Sequence, residues 1–330
     1  MPAPPPPPGD PGHAPTGVRD LVRERAHRAG PISFDEFVDL ALYAPGAGFY
    51  EQGGAAGTDA RGGHFLTSPT LGPLFGAVVA RALDAWWAEL GEPDPFVVVE
   101  AAAGTGDLAR AVLDASPRCL PALRYLLVER SELLRSRHPT RLPIDPAAHV
   151  LGPMAPADEE DDDGARALPG RGPRFASLPD VPAGPITGVV IANELLDNLP
   201  FSLLERGAPS ADASEWSEVR VSADLDEVLV PASPALAADA DRFAPDVPPG
   251  ARIPLQRAAA GWVRDALRVV DRGRVVIVDY AATTPDHARR PWHEWLRTYR
   301  GGGRGGGPLD HPGEQDVTCE VCVDQLAAWA

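Results

Sequence analysis

The sequence predicts an α/β fold on a doubly wound, mostly parallel sheet, with a helical and loop-rich region ahead of it and a small hairpin inserted within it. Three observations carry that expectation. Apolar runs rich in β-branched residues near 96–100, 124–129, 187–192 and 274–280 alternate with helical periodicity near 107–115, 131–137 and 255–270, as crossover units feeding a parallel sheet do. Phe96-Val-Val-Val-Glu100-Ala-Ala-Ala-Gly104-Thr-Gly106-Asp107 passes from strand through a glycine turn into a helix. Arg124-Tyr-Leu-Leu-Val-Glu129 is a second strand that, like the first, ends in an acid.

Taken in order, residues 1–15 form a proline-rich tail expected to be disordered. A helical region over 16–92 comes next. Val18 to Ala29 reads as a helix stopped by Gly30-Pro31, and Ser33 with Glu36 forms a capping box ahead of Phe34, Phe37, Val38, Leu40 and Ala41. The glycines between Ala44 and Gly63 mark a loop, and Leu74, Phe75, Val78, Val79, Leu83 and Trp86 place a helix over about 71–90. The core occupies 93–330. It is interrupted by an acidic loop at about 155–172, read as a solvated face, and by a hairpin at about 216–231. Gly301 to Gly307 reads as a flexible loop, and Val317 to Val323 as a late antiparallel strand.

Composition excludes several classes. The net charge is -17 with a pI of about 4.8, which argues against a nucleic-acid or anionic-membrane partner. All basic charge is arginine; there is no lysine. No apolar run is long enough to cross a membrane, and the N-terminus lacks the charged-then-apolar form of a signal peptide. Cys119, Cys319 and Cys322 make no disulfide framework, so the expected compartment is the reducing cytoplasm. Cys319 and Cys322 have metal-like spacing, but no second pair exists and a strand would point them to opposite faces, so no metal site is assigned.

The chemistry concentrates at strand ends. Two strand-end acids around a glycine turn point to an adenosine-type cofactor, with Glu129 placed for ribose hydroxyls. Glu100 directly before the turn favours S-adenosylmethionine over NAD. A pyrophosphate prefers an uncharged turn, whereas an acid there binds the methionine ammonium or organises the turn; the G-x-G-x-x-G pattern is also absent. Glu100, Gly104, Gly106 and Glu129 form the cofactor set, joined by Asn193. The strand Gly188–Ala192 delivers Asn193 and Glu194 to the same sheet edge, with Asp197 one helical turn on. Asn193 and Glu194 are either a helix cap and first-turn acid or members of the cleft. Tyr280 beside Asp279 is best placed for a substrate pocket, and His64 is either a cofactor-bordering residue or an exposed loop histidine.

These residues carry a resemblance. The ordered set Pro31 to Tyr43, Gly48-Phe-Tyr50, Gly62-Gly-His-Phe-Leu-Thr67-Ser-Pro69, Leu74-Phe-Gly76, Asn193-Glu194-Leu-Leu-Asp197-Asn-Leu-Pro200, Asp279-Tyr280, Leu296-Arg-Thr-Tyr-Arg300 and Pro312-Gly-Glu-Gln-Asp316-Val-Thr318 resembles the MidA family of S-adenosylmethionine-dependent methyltransferases. That family has a Rossmann-like class I methyltransferase fold, and its mitochondrial member methylates an arginine of a complex I subunit. Ala102 stands at the first glycine position of the family's turn and serves there if its φ is negative; His64 and Thr70 replace family acids. The resemblance implies a protein arginine as acceptor, with Glu194 and Asp197 orienting it and accepting its proton and Asn193 holding geometry. It also implies that the region of about 18–90 closes over the cofactor as a lid. Two alternatives stand beside it: a small-molecule O- or N-methyltransferase, and a noncatalytic assembly factor. A homodimer through the Trp-bearing helix near 71–90 is a further expectation.

Overall fold

The computed structural model describes residues 17–54, 73–151, 168–208 and 215–330. Its centre is a five-stranded parallel sheet in the order Val270–Val278, Ile186–Asn193, Phe96–Ala101, Leu123–Val128, Arg174–Leu178. Phe96–Ala101 and Leu123–Val128 are buried at every position, which is why they read as unbroken apolar runs. One sheet face, with Phe96, Val98, Tyr125 and Leu127, packs on helices Pro73–Glu89 and Asp107–Asp114 through Val79, Leu83, Leu108 and Val112. The other, with Val97, Val99, Leu126 and Val128, packs on Val150, Leu151, Ala266 and Trp262. The alternation comes from the two-residue period of a strand.

From Phe96–Ala101 the chain winds outward to Leu123–Val128 and Arg174–Leu178, then returns to Ile186–Asn193 on the opposite side. The order therefore reverses between Phe96–Ala101 and Ile186–Asn193. A crevice opens at the carboxyl ends of two strands that lead away in opposite directions. The glycine turn and the Asn193–Asp197 segment both begin there.

A second, antiparallel sheet pairs Ile32–Ser33, Trp216–Val221, Ser202–Arg206 and Arg252–Leu255, with Glu227–Pro231 against Trp216–Val221. The expected hairpin is thus part of a larger sheet. Helices Val18–Ala29 and Phe34–Tyr43 bury Val22, Phe34, Phe37 and Val38 in one cluster with Phe201, Val219, Trp295 and Val317. That cluster draws the N-terminal region against the edge of the crevice. Helix Val18–Ala29 and the later Arg257–Val269 lie where periodicity places them.

Several local expectations are corrected. Ser33 sits at the N-cap of Phe34–Tyr43, but its side chain makes no capping bond, and Glu36 instead pairs with Arg25 at 2.6 Å. The helix expected over 131–137 is two short ones, Glu132–Arg135 and His138–Arg141, the second carrying Pro139 in its first turn, which has no N–H to continue the first. Gly303–Arg304 pairs back on Leu296–Arg300 as a hairpin within the glycine stretch. The late strand is antiparallel only over Asp316–Cys319; Val321–Cys322 then pairs in parallel with Ala281–Ala282. The 1–15 tail and most of the acidic loop lie outside the described residues. Among the described residues no helix is long and apolar enough to cross a membrane.

Candidate active site

The glycine turn is held from below. Ala103 N–H donates to Val128 O at 3.0 Å and Gly106 N–H to Ala103 O at 2.8 Å, closing the turn onto the neighbouring strand. Glu129 accepts Gly104 N–H at 2.9 Å through Oε2 and Ser131 N–H at 2.9 Å through Oε1. His138 bridges Gly104 O at 3.0 Å and the Ser177 hydroxyl at 2.8 Å. A Cβ on Gly104 would meet nothing within 4 Å, so the space above the turn is open, whereas one on Gly106 would lie 2.9 Å from Leu127. Ala102 has φ +55°, against the expectation of a negative value. An L-residue in that region costs on the order of 1 kcal/mol.

Glu100 lies beneath the turn, 4% exposed, and Tyr125 O–H donates to it at 2.7 Å. Burial pushes its carboxyl up to about 8, so it is largely protonated at neutral pH. Burial also raises Glu129, opposed by the two backbone N–H groups it accepts.

The facing wall comes from Asn193 to Asn198. Glu194 has φ +50° and its N–H donates to Val278 O at 2.9 Å, so the chain turns sharply as it leaves the sheet. It then forms the single 3₁₀ turn Leu196–Asn198, whose N-cap is Leu195; Asn193 caps nothing. Asn193 Oδ1 is buried without a hydrogen-bond partner, and so is Asp197 Oδ1. Asp279, at the end of the adjacent strand, fixes this turn. Its Oδ2 accepts Leu196 N–H at 3.0 Å and Asp197 N–H at 3.3 Å, and its Oδ1 accepts Tyr280 N–H at 2.8 Å.

The third wall joins the chain's distant parts. Tyr50 O–H lies 2.9 Å from Asn198 Oδ1 and 3.1 Å from Asp316 Oδ1. Asn198 Nδ2 donates to Asp316 Oδ1 at 2.9 Å and to Val317 O at 3.1 Å, and Tyr43 O–H donates to Asn198 O at 3.1 Å. The Tyr43 and Tyr50 rings stack at 5.5 Å, with the Arg130 guanidinium 4.8 Å from the Tyr43 centroid.

Together these walls enclose a cavity of ≈ 510 Å³, of the size small-molecule sites take. Glu100, Gly104, Glu129, Asn193, Glu194 and Asp197 all line it; Gly106 does not, and instead starts the following helix. Tyr280 also lies outside the lining, 54% exposed, at a smaller adjoining depression. His64 and Thr70 lie outside the described residues. Asp279, Asp316, Asn198, Tyr43 and Tyr50 carry no site role in the sequence reading, although each falls in or beside a quoted motif. Burial raises Asp197 well above the usual range, and the charges of Asp279, Asp316 and Glu194 push it further; Asp279 is held at about 6 and Asp316 at about 7, chiefly by burial. Cys119, Cys319 and Cys322 are buried free thiols, and among the described residues no group of three or more His, Cys, Asp or Glu is arranged to hold a metal.

A family model described as "Putative S-adenosyl-L-methionine-dependent methyltransferase" matches residues 78–330. Over 202 residues the chain is 30% identical to the mitochondrial protein arginine methyltransferase NDUFAF7 homolog of Drosophila melanogaster, covering 61% of this chain and 43% of that protein. It is 25% identical over 325 residues to NDUFAF7 of Danio rerio, covering 91% and 69%. The chain thus spans less than half the length of the fly relative. A solved Burkholderia thailandensis superfamily member bound to S-adenosyl-homocysteine is 28% identical with a TM-score of 0.71, covering 94% of this chain and 74% of that one. The cytoplasmic expectation is corrected by these findings: the matched fly, zebrafish and Caenorhabditis elegans proteins are all named mitochondrial. Cysteine usage does not distinguish one reducing compartment from another.

Proposed function

The chain belongs to this family of S-adenosyl-L-methionine-dependent methyltransferases, and from that premise we propose that it methylates a protein arginine held by the acidic wall of the cavity. The open space above Gly104 and the buried Glu129 at its rim fit the cofactor, with Glu100 supporting the turn from below. When bound, S-adenosylmethionine supplies an activated methyl group, whose bond to sulfur breaks as the bond to the acceptor nitrogen forms, leaving S-adenosylhomocysteine.

The observation that carries the acceptor assignment is Asp197. One of its carboxylate oxygens is buried without a partner, in a wall shared with Glu194 and Asp316 and backed by Asp279. The one basic side chain among the described lining residues, Arg130, turns to Asp39 and to the Tyr43 ring. A desolvated acidic wall of this kind calls for a cation from outside. A guanidinium suits it, being planar, always charged and rich in donors. In this reading a bound guanidinium favours the carboxylate form of Asp197 against the burial that raises it. Glu194 and Asp197 orient the acceptor nitrogen and take the proton it loses on methylation, Asn193 Oδ1 accepts a further guanidinium N–H, and Asp279 holds the turn that presents them.

The test measures S-adenosylhomocysteine release with an arginine peptide and the same peptide carrying citrulline, for the parent chain and for Asp197→Asn. Turnover confined to arginine and reduced about 100-fold or more in the variant is expected, the scale of a lost general base. Equal turnover with citrulline, or full activity in the variant, would overturn the assignment.

A further inference from the structure

We propose that the acceptor enters through a second mouth on the Tyr280–Tyr299 side, away from the glycine turn, as a basic polypeptide segment whose flanking chain lies across those two tyrosines. This rests on the arginine reading above and adds the route and the form of the substrate.

The cavity has two sides that meet at one wall. Asp197 and Thr318 line both the ≈ 510 Å³ cavity and the adjoining depression of ≈ 10 Å³, whose far side is Tyr280, Arg297, Tyr299 and Glu320. Asp197, with its unpartnered buried oxygen, and Thr318 are therefore the residues that stand between the two. The opposite side of the cavity is committed to the turn, where Gly104 and Glu129 stand. An acceptor must approach the methyl group from the side away from sulfur, so acceptor and sulfonium stand on opposite sides of the methyl, as the acidic wall and the glycine turn do across the cavity.

The second mouth has the build of a binding surface. Tyr280 is 54% exposed, yet the charge of Glu194, followed by burial and the charges of Tyr299 and Asp197, raises its hydroxyl's pKa; the ring stands between solvent and the acids. Its backbone is pinned by Asp279, the residue that also holds the Asp197 turn. Strand pairing sets Tyr299 opposite Asp316. The floor is rigid: Trp295 is fully buried with its Nε1–H donating to His287 O at 3.1 Å, and Arg290 and Arg297 each hold Glu320 at 2.6 Å. Glu320 is thus neutralised and leaves the inner acids as the destination for a cation.

At ≈ 10 Å³ the depression holds about one water. A guanidinium passes only when the exposed Tyr280 ring swings aside, after which the Tyr280 face receives the alkyl stem, beside a Tyr299 ring that the Arg304 guanidinium already approaches at 5.9 Å. With Arg290 and Arg297 engaged by Glu320, the charges of Glu194 and Asp197 felt at Tyr280, and Asp316 paired opposite Tyr299, draw a basic segment to this surface.

Three probes test this on the intact chain by calorimetry. They are S-adenosylhomocysteine, an adenosyl group joined by a short alkyl arm to a guanidine, and the same adenosyl group joined to the guanidine of an arginine within a basic pentapeptide. Because the native cysteines are buried, a Tyr280→Cys variant can be blocked selectively with a bulky maleimide. The parent chain is expected to bind the guanidine probe more tightly than S-adenosylhomocysteine, and the peptidyl probe at least tenfold more tightly again. The blocked variant, and to a lesser degree Tyr280→Ala, should lose the peptide gain while binding the two smaller ligands within twofold of the parent. A blocked variant that keeps the full peptide gain, or a parent chain in which the peptide adds nothing, overturns the route alone. A parent chain in which the guanidine adds nothing overturns the arginine reading and the route with it.

Discussion

Tyr50→Phe isolates one hydroxyl on which the third wall of the cavity depends. Its O–H reaches Asn198 Oδ1 at 2.9 Å and Asp316 Oδ1 at 3.1 Å, and a single hydrogen serves the two acceptors. Asp316 keeps its bond from Asn198 Nδ2 in the variant, so the loss falls on one acceptor at a time. With Asp316 protonated, the deleted bond is neutral and worth about 1 kcal/mol; with Asp316 ionised it is charge-assisted and worth about 2 kcal/mol. Burial holds Asp316 at about 7, and the Tyr50 bond pulls it down from a still higher value. Tyr50→Phe should therefore destabilise by about 1 kcal/mol at pH 5.5 and about 2 kcal/mol at pH 8.5, read from urea unfolding with unchanged slope. Tyr43→Phe removes a bond to a backbone carbonyl only, so its cost of about 1 kcal/mol should not depend on pH. An equal Tyr50→Phe penalty at both pH values, or a larger one at pH 5.5, would refute the linkage between this hydroxyl and the Asp316 charge.

Two further outcomes concern the same buried groups and the turn above them. Asp279 at about 6, Asp316 at about 7 and Glu100 at about 8 all sit above their unfolded values, so the folded state holds protons that the unfolded state releases. Their contribution is complete below about pH 4 and is lost as pH rises through 6 to 8; the unfolding free energy should fall across that window, and a rise would contradict these protonation states. Ala102→Gly relieves a left-handed backbone worth on the order of 1 kcal/mol while loosening the unfolded chain by about half as much or more. A small net gain in denaturation midpoint is expected with S-adenosylhomocysteine affinity retained, and a loss above about 1 kcal/mol would show that the Ala102 side chain stabilises more than its backbone costs.

The parallel core is legible in the sequence because strands buried on both faces leave unbroken apolar runs such as Val97-Val-Val99 and Val189-Val-Ile191. Arg174–Leu178 escapes notice for the complementary reason: it is a short edge strand, Arg-Phe-Ala-Ser-Leu, with no run to betray it. The antiparallel sheet is hidden differently, since one of its members is only Ile32–Ser33, paired across the chain with Val221 and Arg220. At the site, strand-end position is enough to single out Glu100, Glu129, Asn193 and Glu194. Asp316 and Tyr50 need contacts spanning 118 and 266 residues, which no local pattern encodes. The positive φ of Glu194 and Ala102 is equally invisible, because neither residue type announces it.

The two halves of the cavity also differ in when they come into being. Glu100, Gly104 and Glu129 have all been synthesised by residue 129, and the strands beneath them pair with near neighbours in the chain. The acidic wall is complete only when Asp316 and Thr318 have emerged and Tyr50, made far earlier, has closed on them. A nascent chain on the ribosome therefore holds the residues of the glycine turn well before those of the acidic wall, which arrives last, with tertiary closure rather than with any single element.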